Sequence, residues 1–215
     1  TRRSSDLAER FAGQARMPEL GWDAVTVPGA VSAWVALSDK FGQLPFAQLF
    51  TDAIHYARNG YQLGPKSAFY WAYAPRRFKD YPNFMQTFCP AGRAPLAGER
   101  VRLPDHASSL EKIAASKGQA FYQGELAEAM VKASNLAGGA LTMADLAQHQ
   151  ANWVETISQD FAGATLHEIP PNGQGLLALI ALGICEHLAL DQHGPDSAMA
   201  IHLQIEACRI AYADV

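Results

Sequence analysis

The chain has 215 residues, 49% of them hydrophobic and 18% charged, with a formal net charge of −4. That is enough apolar material for one substantial core, in a single lobe spanning 1–215, and the lack of a basic excess argues against nucleic acid as a partner. No apolar run reaches the length of a membrane span; the longest, Leu176–Ile184, is too short and contains a glycine.

In chain order, Ser4 to Gly13 reads as a short helix capped by Ser4 or Ser5, with Leu7, Arg10 and Phe11 on one face. Pro18, Gly21, Pro28 and Gly29 then punctuate a loop. Val31, Trp34, Val35, Leu37 and Phe41 have helical spacing over Ala30 to Phe41, with Gly42 as a C′ residue. Pro45 to Asn59 repeats the pattern before Gly60, so the two segments predict an αα-hairpin. Ser67 to Tyr73 reads as a further short helix, and Pro75 to Pro104, rich in Pro, Gly and Arg, as loop.

Three more helical stretches lie at Ala107 to Ser116, Gly118 to Leu136 and Thr142 to His149. Gly138-Gly139 separates the last two, and Thr142 with Asp145 forms a near capping box. Trp153 to Phe161 and Ala164 to Ile169 are strand candidates joined by a turn within Asp160 to Gly163. Pro170–Gly175 is an irregular loop, and helices at Leu176 to Leu190 and Ser197 to Ala213 complete the pattern. The expected fold is mainly α with one small β-hairpin. A lone hairpin is marginal in water, so this one is expected to join a sheet built by sequence outside the chain. The chain also opens at Thr1 without an initiator Met and stops at Val215 inside a helical pattern, so a piece of a longer protein is expected.

The residues alone supply little chemistry. Cys89, Cys185 and Cys208 are far apart and odd in number, which suits small buried hydrophobes better than a disulfide framework. His202 and Glu206 share a helix face, but two groups do not make a zinc site. His187 with His193, and His167 with Glu168, lack a third partner, while His55, His106 and His149 read as isolated. There is no GxSxG elbow, P-loop or dinucleotide fingerprint. Pro170 to Gly175 stands out: two prolines remove backbone donors, two glycines permit tight turns or close approach, and the N-terminus of the next helix is free to face a polar group. As a plain connector it would need no further role.

Six blocks nevertheless carry a resemblance. Thr26-Val27-Pro28-Gly29-Ala30-Val31-Ser32-Ala33-Trp34 is similar to the VPG-x-V-x-x-W block of the γ-glutamyltranspeptidase family. Phe41 to Phe46, with Ala53-Ile54 and Ala57 to Gly60, resembles the family's stretch just C-terminal to that block. Phe121-Tyr122-Gln123-Gly124 resembles FY-x-G, and Gly138 to Thr142 with Asp145-Leu146-Ala147 and His149 resembles GG-x-LT-x-x-DLA. Pro170 to Gly175 resembles PP-x-x-x-G, and Glu206-Ala207, Arg209 and Ala211 to Asp214 resemble EA-x-R-x-AYAD.

The resemblance implies the helical part of an αββα N-terminal-nucleophile hydrolase and an internal segment of its large subunit. It implies a precursor that cleaves itself into a heterodimer with a small subunit. The nucleophilic Thr would lie beyond Val215, the substrate would be a γ-glutamyl or other amide such as glutathione, and no cofactor or metal is implied. It also implies an arginine that pairs with the substrate α-carboxylate upstream of the VPG block. Arg2 or Arg3 falls there, with Arg3 preferred, although Ser4 and Ser5 replace the family's usual small residue and Pro. Gly92-Arg93-Ala94-Pro95 copies that arginine motif on the wrong side of the VPG block. Asn172-Gly173-Gln174 departs from the Ser- and Gly-rich loop of glutathione-processing members and is closer to relatives acting on oxamate or acyl-β-lactams. A non-catalytic helical interaction domain is the alternative from another class. The compartment stays open.

Overall fold

The computed structural model of the chain describes residues 9–214. It divides into two compact units, one up to Ala151 and one from Asn152. The first is helical, with a single two-residue ladder; the second is a hairpin with two helices, so the mainly α reading with a small hairpin holds.

In the first unit, a 3-10 turn at Glu9–Phe11 is the described part of the expected Ser4 to Gly13 helix. Helix α1 runs Ala30–Phe41 as the spacing predicts. Gly42 ends it in an extended conformation (φ −69°), not the left-handed one expected of a C′ glycine. Its reason is space: a Cβ there would crowd the Ser38 carbonyl and Cα. The Pro45 to Asn59 segment begins as a 3-10 turn, Phe46–Phe50, and becomes α2 at Thr51–Asn59. Gly60 stops α2 with φ 85°, where a Cβ would stand 2.7 Å from the Val101 carbonyl oxygen. That close approach lets β1 (Tyr61–Gln62) pair antiparallel with β2 (Arg100–Val101).

The stretch read as loop contains helices. After α3 (Pro65–Trp71) come α4 (Ala74–Phe78) and α5 (Pro82–Phe88), each with a proline in its first turn. Proline at that position loses no intrahelical bond, because the first N–H groups have no partner anyway. Phe78, Phe84 and Phe88 stack in sequence with centroids 4.3 and 4.7 Å apart, and Trp71 meets Phe88 at 6.0 Å. Helix α6 (Pro104–Ser116) comes next; the expected Gly118 to Leu136 helix is two, α7 (Gln119–Tyr122) and α8 (Glu125–Leu136). Gly124 separates them, and a Cβ on it would lie 2.9 Å from the Ala120 Cα. Helix α9 (Met143–Ala147) starts on the complete Thr142–Asp145 capping box. Val31, Phe46, Phe50, Ile113, Tyr122 and Leu146 form the core around which α1, α2, α6 and α9 are arranged.

In the second unit, β3 (Ile157–Phe161) and β4 (Ala164–Glu168) pair through the two-residue turn Ala162-Gly163, both at positive φ. Helix α10 (Gly175–Glu186) packs on the hairpin, and α11 (Ala198–Asp214) packs on α10. Buried Ala181, Ala200, Ala207 and Ala211 are small enough for close helix approach. Cys89 and Cys185 are buried, and burial pushes both thiols up; the Cys208 thiol raises Cys185 further. Cys208 itself is exposed, against the buried reading of all three.

Gly175 and Gly173 differ in kind. A Cβ on Gly175 would meet the Glu168 Cβ at 2.7 Å, whereas at Gly173 the nearest atom, on Ile169, is 3.8 Å away. Gly175→Ala is therefore expected to lower stability by about 1–2 kcal/mol and Gly173→Ala by much less. Equal urea midpoints for the two variants would overturn this assignment of the close approach.

Candidate functional site

Three of the blocks singled out in the sequence converge on one cluster in the first unit. Gly29 precedes α1 and has no side chain to cap it. Four N–H groups at a helix start lack intrahelical partners, so the cap must come from elsewhere. It comes from α7: the Ser32 N–H donates to the Tyr122 hydroxyl at 3.1 Å. The same hydroxyl donates its proton to the Pro28 carbonyl at 2.7 Å. His149, just past α9, stacks on the Tyr122 ring at 5.2 Å and 23°. Its Nε2 lies 2.8 Å from the Ser32 Oγ.

A hydroxyl touching an imidazole resembles a nucleophile and its base, but the Gly29 carbonyl, 2.8 Å from the Ser32 Oγ, competes for the one hydroxyl proton. With the proton donated to that carbonyl the His149 Nε2 donates to Ser32 Oγ; the tautomer of His149 decides between this and the reverse arrangement. Tyr122 is buried, so this is a clasp that holds the VPG turn, the FY segment and the residue after the DLA helix in one arrangement. His149 is thus not isolated, contrary to the expectation from sequence. Nor are His55, whose Nδ1 is 3.1 Å from the Asn59 amide, and His106, whose ring meets Phe88 edge-on.

A second tie sits beside it. Arg10 donates through Nε to Asp23 at 2.8 Å and through Nη2 to the Gly138 carbonyl. It helps line a cleft of about 310 Å³ with Trp22, Val25, Leu141 and Asp145. Asp145 is committed to its capping box, accepting the Thr142 N–H at 2.9 Å and the Thr142 hydroxyl at 2.6 Å. Ser134, completely buried, takes the Leu141 N–H at 3.3 Å and fixes the exit from the Gly138-Gly139 break.

Arg2 and Arg3 lie outside the described residues. Arg93 forks onto Glu99 at 2.9 and 2.7 Å, and Glu99 also accepts the Leu96 N–H at 2.8 Å, so this arginine pins its own loop. The Arg93 bond, then the Leu96 N–H, lower the Glu99 pKa from 4.5 to about 2. A folded-state value below the unfolded one means that this contribution to stability is present above the ordinary carboxylate range and is lost as pH falls through about 2. A carboxyl titration followed by NMR should place Glu99 near 2, and Arg93→Gln should move it upward. An unmoved midpoint would rule the fork out as the cause.

Glu206 bonds Arg209 at 2.7 Å, and His167 Nδ1 lies 3.3 Å from the Thr156 hydroxyl. Among the described residues no group of three or more His, Cys, Asp or Glu is placed to hold a metal ion, and no helix is long and apolar enough to cross a membrane. Helix α10 begins after Gln174 without a side-chain cap, so its first N–H groups stand at the Pro170 to Gly175 loop as the sequence suggests.

The γ-glutamyltranspeptidase family model matches residues 4–215, and the chain belongs to that family. It is 31% identical over 205 residues to the glutathione hydrolase-like YwrD proenzyme of Bacillus subtilis, covering 95% of this chain and 39% of the relative. It is 34% identical over 211 residues to the oxamate amidohydrolase proenzyme of Klebsiella pneumoniae, covering 95% and 40%. The crystal structure of cephalosporin acylase from Bacillus halodurans superposes with a TM-score of 0.86 at 40% identity, covering 97% of this chain and 40% of that one. The chain thus spans about two fifths of the length of these relatives.

Proposed function

We propose that the chain is the helical large-subunit part, one lobe, of a self-cleaving amide hydrolase with an αββα core. Family membership across residues 4–215 carries this reading, supported by relatives that are proenzymes of amide-cleaving enzymes. The nucleophile is a Thr C-terminal to this segment in the longer precursor, and it becomes the first residue of a small subunit on cleavage. Its own amine acts as general base, and backbone N–H groups hold the oxyanion. The acyl group then passes to water or to an amine acceptor. The clasp contributes by holding the large-subunit helices in register and takes no part in bond making.

The substrate is a γ-glutamyl amide, and Arg3 binds its α-carboxylate, because a planar guanidinium can grip a carboxylate with two parallel bonds. A second reading is an amidohydrolase acting on oxamate or an acyl-β-lactam. The loop sequence Asn172-Gly173-Gln174 and the relatives with those printed activities favour it.

The test is the intact mass of the protein from its complete gene, then assays with γ-glutamyl-p-nitroanilide, oxamate and an acylated cephalosporin. Two chains, the smaller beginning at Thr, are expected; one uncleaved chain without amidase activity would overturn both readings. Arg3→Gln should raise KM for the γ-glutamyl donor about tenfold or more. Turnover of oxamate or the cephalosporin alone would select the second reading.

A further inference from the structure

Residues 53–79 contain no Asp or Glu, although the whole chain carries a net charge of −4. Within that span, Lys66, Arg76, Arg77 and Lys79 are all exposed. Between Lys66 and Arg76 lie three large exposed rings: Phe69, Tyr70 and Tyr73 are 60%, 62% and 60% exposed. They form one patch, since Phe69 meets Tyr70 at 5.4 Å and Tyr73 at 5.8 Å, edge to face. Lys66, Phe69, Tyr70 and Tyr73 obey the i, i+3, i+4, i+7 rule and so share a face of α3 and the turn after it. The Phe78–Phe84–Phe88 stack packs around α4 and α5, so the patch stands on an ordered base. Among the described residues, the ion pair that reaches these four cations is a long one, Arg77 to Glu19 at 3.5 Å, with both side chains largely in solvent.

We infer that the α3–α4 surface is a membrane-contact face that takes an anionic lipid bilayer. Cations attract the acidic headgroups, and aromatic rings settle at the headgroup–acyl boundary, the Tyr hydroxyls remaining in the polar layer. The helices are too short to span the bilayer core, so the contact is interfacial. A soluble polyanion would use the four cations but would leave the Phe69 ring without a role. This inference does not depend on the proposed substrate or on self-cleavage.

The test is cosedimentation of the full-length protein with vesicles of phosphatidylcholine alone or mixed with phosphatidylglycerol. Binding is expected only to the anionic vesicles, weakening as salt shortens the Debye length. Arg76→Gln with Arg77→Gln should weaken it roughly thirtyfold, at a factor of about five per cation. Phe69→Ser with Tyr73→Ser, both exposed, should weaken it about tenfold or more without changing the far-UV spectrum. Absence of binding, equal binding to both vesicle types, or binding unchanged by the aromatic pair would overturn the inference. Heparin retention that depends on the arginines, with no vesicle binding, would assign the face to a soluble polyanion instead.

Discussion

Tyr122→Phe is expected to cost about 2 kcal/mol of stability, and Tyr122→Ala about 4 kcal/mol. The phenylalanine keeps the stack on His149 and the edge contact with Phe121, and it deletes one oxygen. That oxygen serves two backbone groups at once, the Ser32 N–H and the Pro28 carbonyl. Both flank a helix start whose cap residue, Gly29, has no side chain to offer. Leaving such groups unpaired beside a buried ring costs more than one average hydrogen bond contributes. The alanine variant also empties the space of a ring that is only 9% exposed. Urea unfolding at constant slope would read both. Wild-type stability for Tyr122→Phe would show that the hydroxyl is not the cap of α1.

The second large effect separates two adjacent glycines. Gly139→Ala is expected to cost about 3 kcal/mol and Gly138→Ala about 1 kcal/mol. Gly138 adopts φ 72° and has nothing within 4 Å of where a Cβ would stand, so its substitution meets only backbone strain. Gly139 has an ordinary φ, but its Cβ would lie 2.6 Å from the Trp22 Cβ and overlap the Ser134 hydroxyl oxygen. Ser134 is fully buried and holds the Leu141 N–H, so it cannot step aside without orphaning that donor. A reversed order of the two melting temperatures would refute this division of labour.

Periodicity made most helices legible. Ala30–Phe41 matches the spacing end to end, and the Thr142–Asp145 box is complete as its residue types suggest. The hairpin was legible too, because a short turn with Gly163 separates two strand-like runs, although β3 starts at Ile157, four residues after the expected Trp153. The stretch from Pro75 to Pro104 misled because proline both breaks helices and begins them. Pro75 and Pro82 begin them here, a choice made by the aromatic stack behind them and not by local sequence. The clasp was invisible for another reason. Ser32, Tyr122 and His149 each look ordinary in their own windows, and the only local sign was a helix start with a glycine where a capping side chain would stand. The functional reading came from the ordered blocks, which name a family without naming a substrate.

The clasp also bears on how the chain reaches its fold. It joins residues 90 and 117 positions apart, whereas the α7–α8 contact beside it is closed by neighbours in sequence. Closing so long a loop is entropically costly until other contacts have shortened it. During synthesis, α1 would leave the ribosome on the order of ten seconds before His149 emerges. Until Tyr122 emerges, for most of that interval, the helix start lacks its cap and the Val31 side of α1 lacks part of its cover.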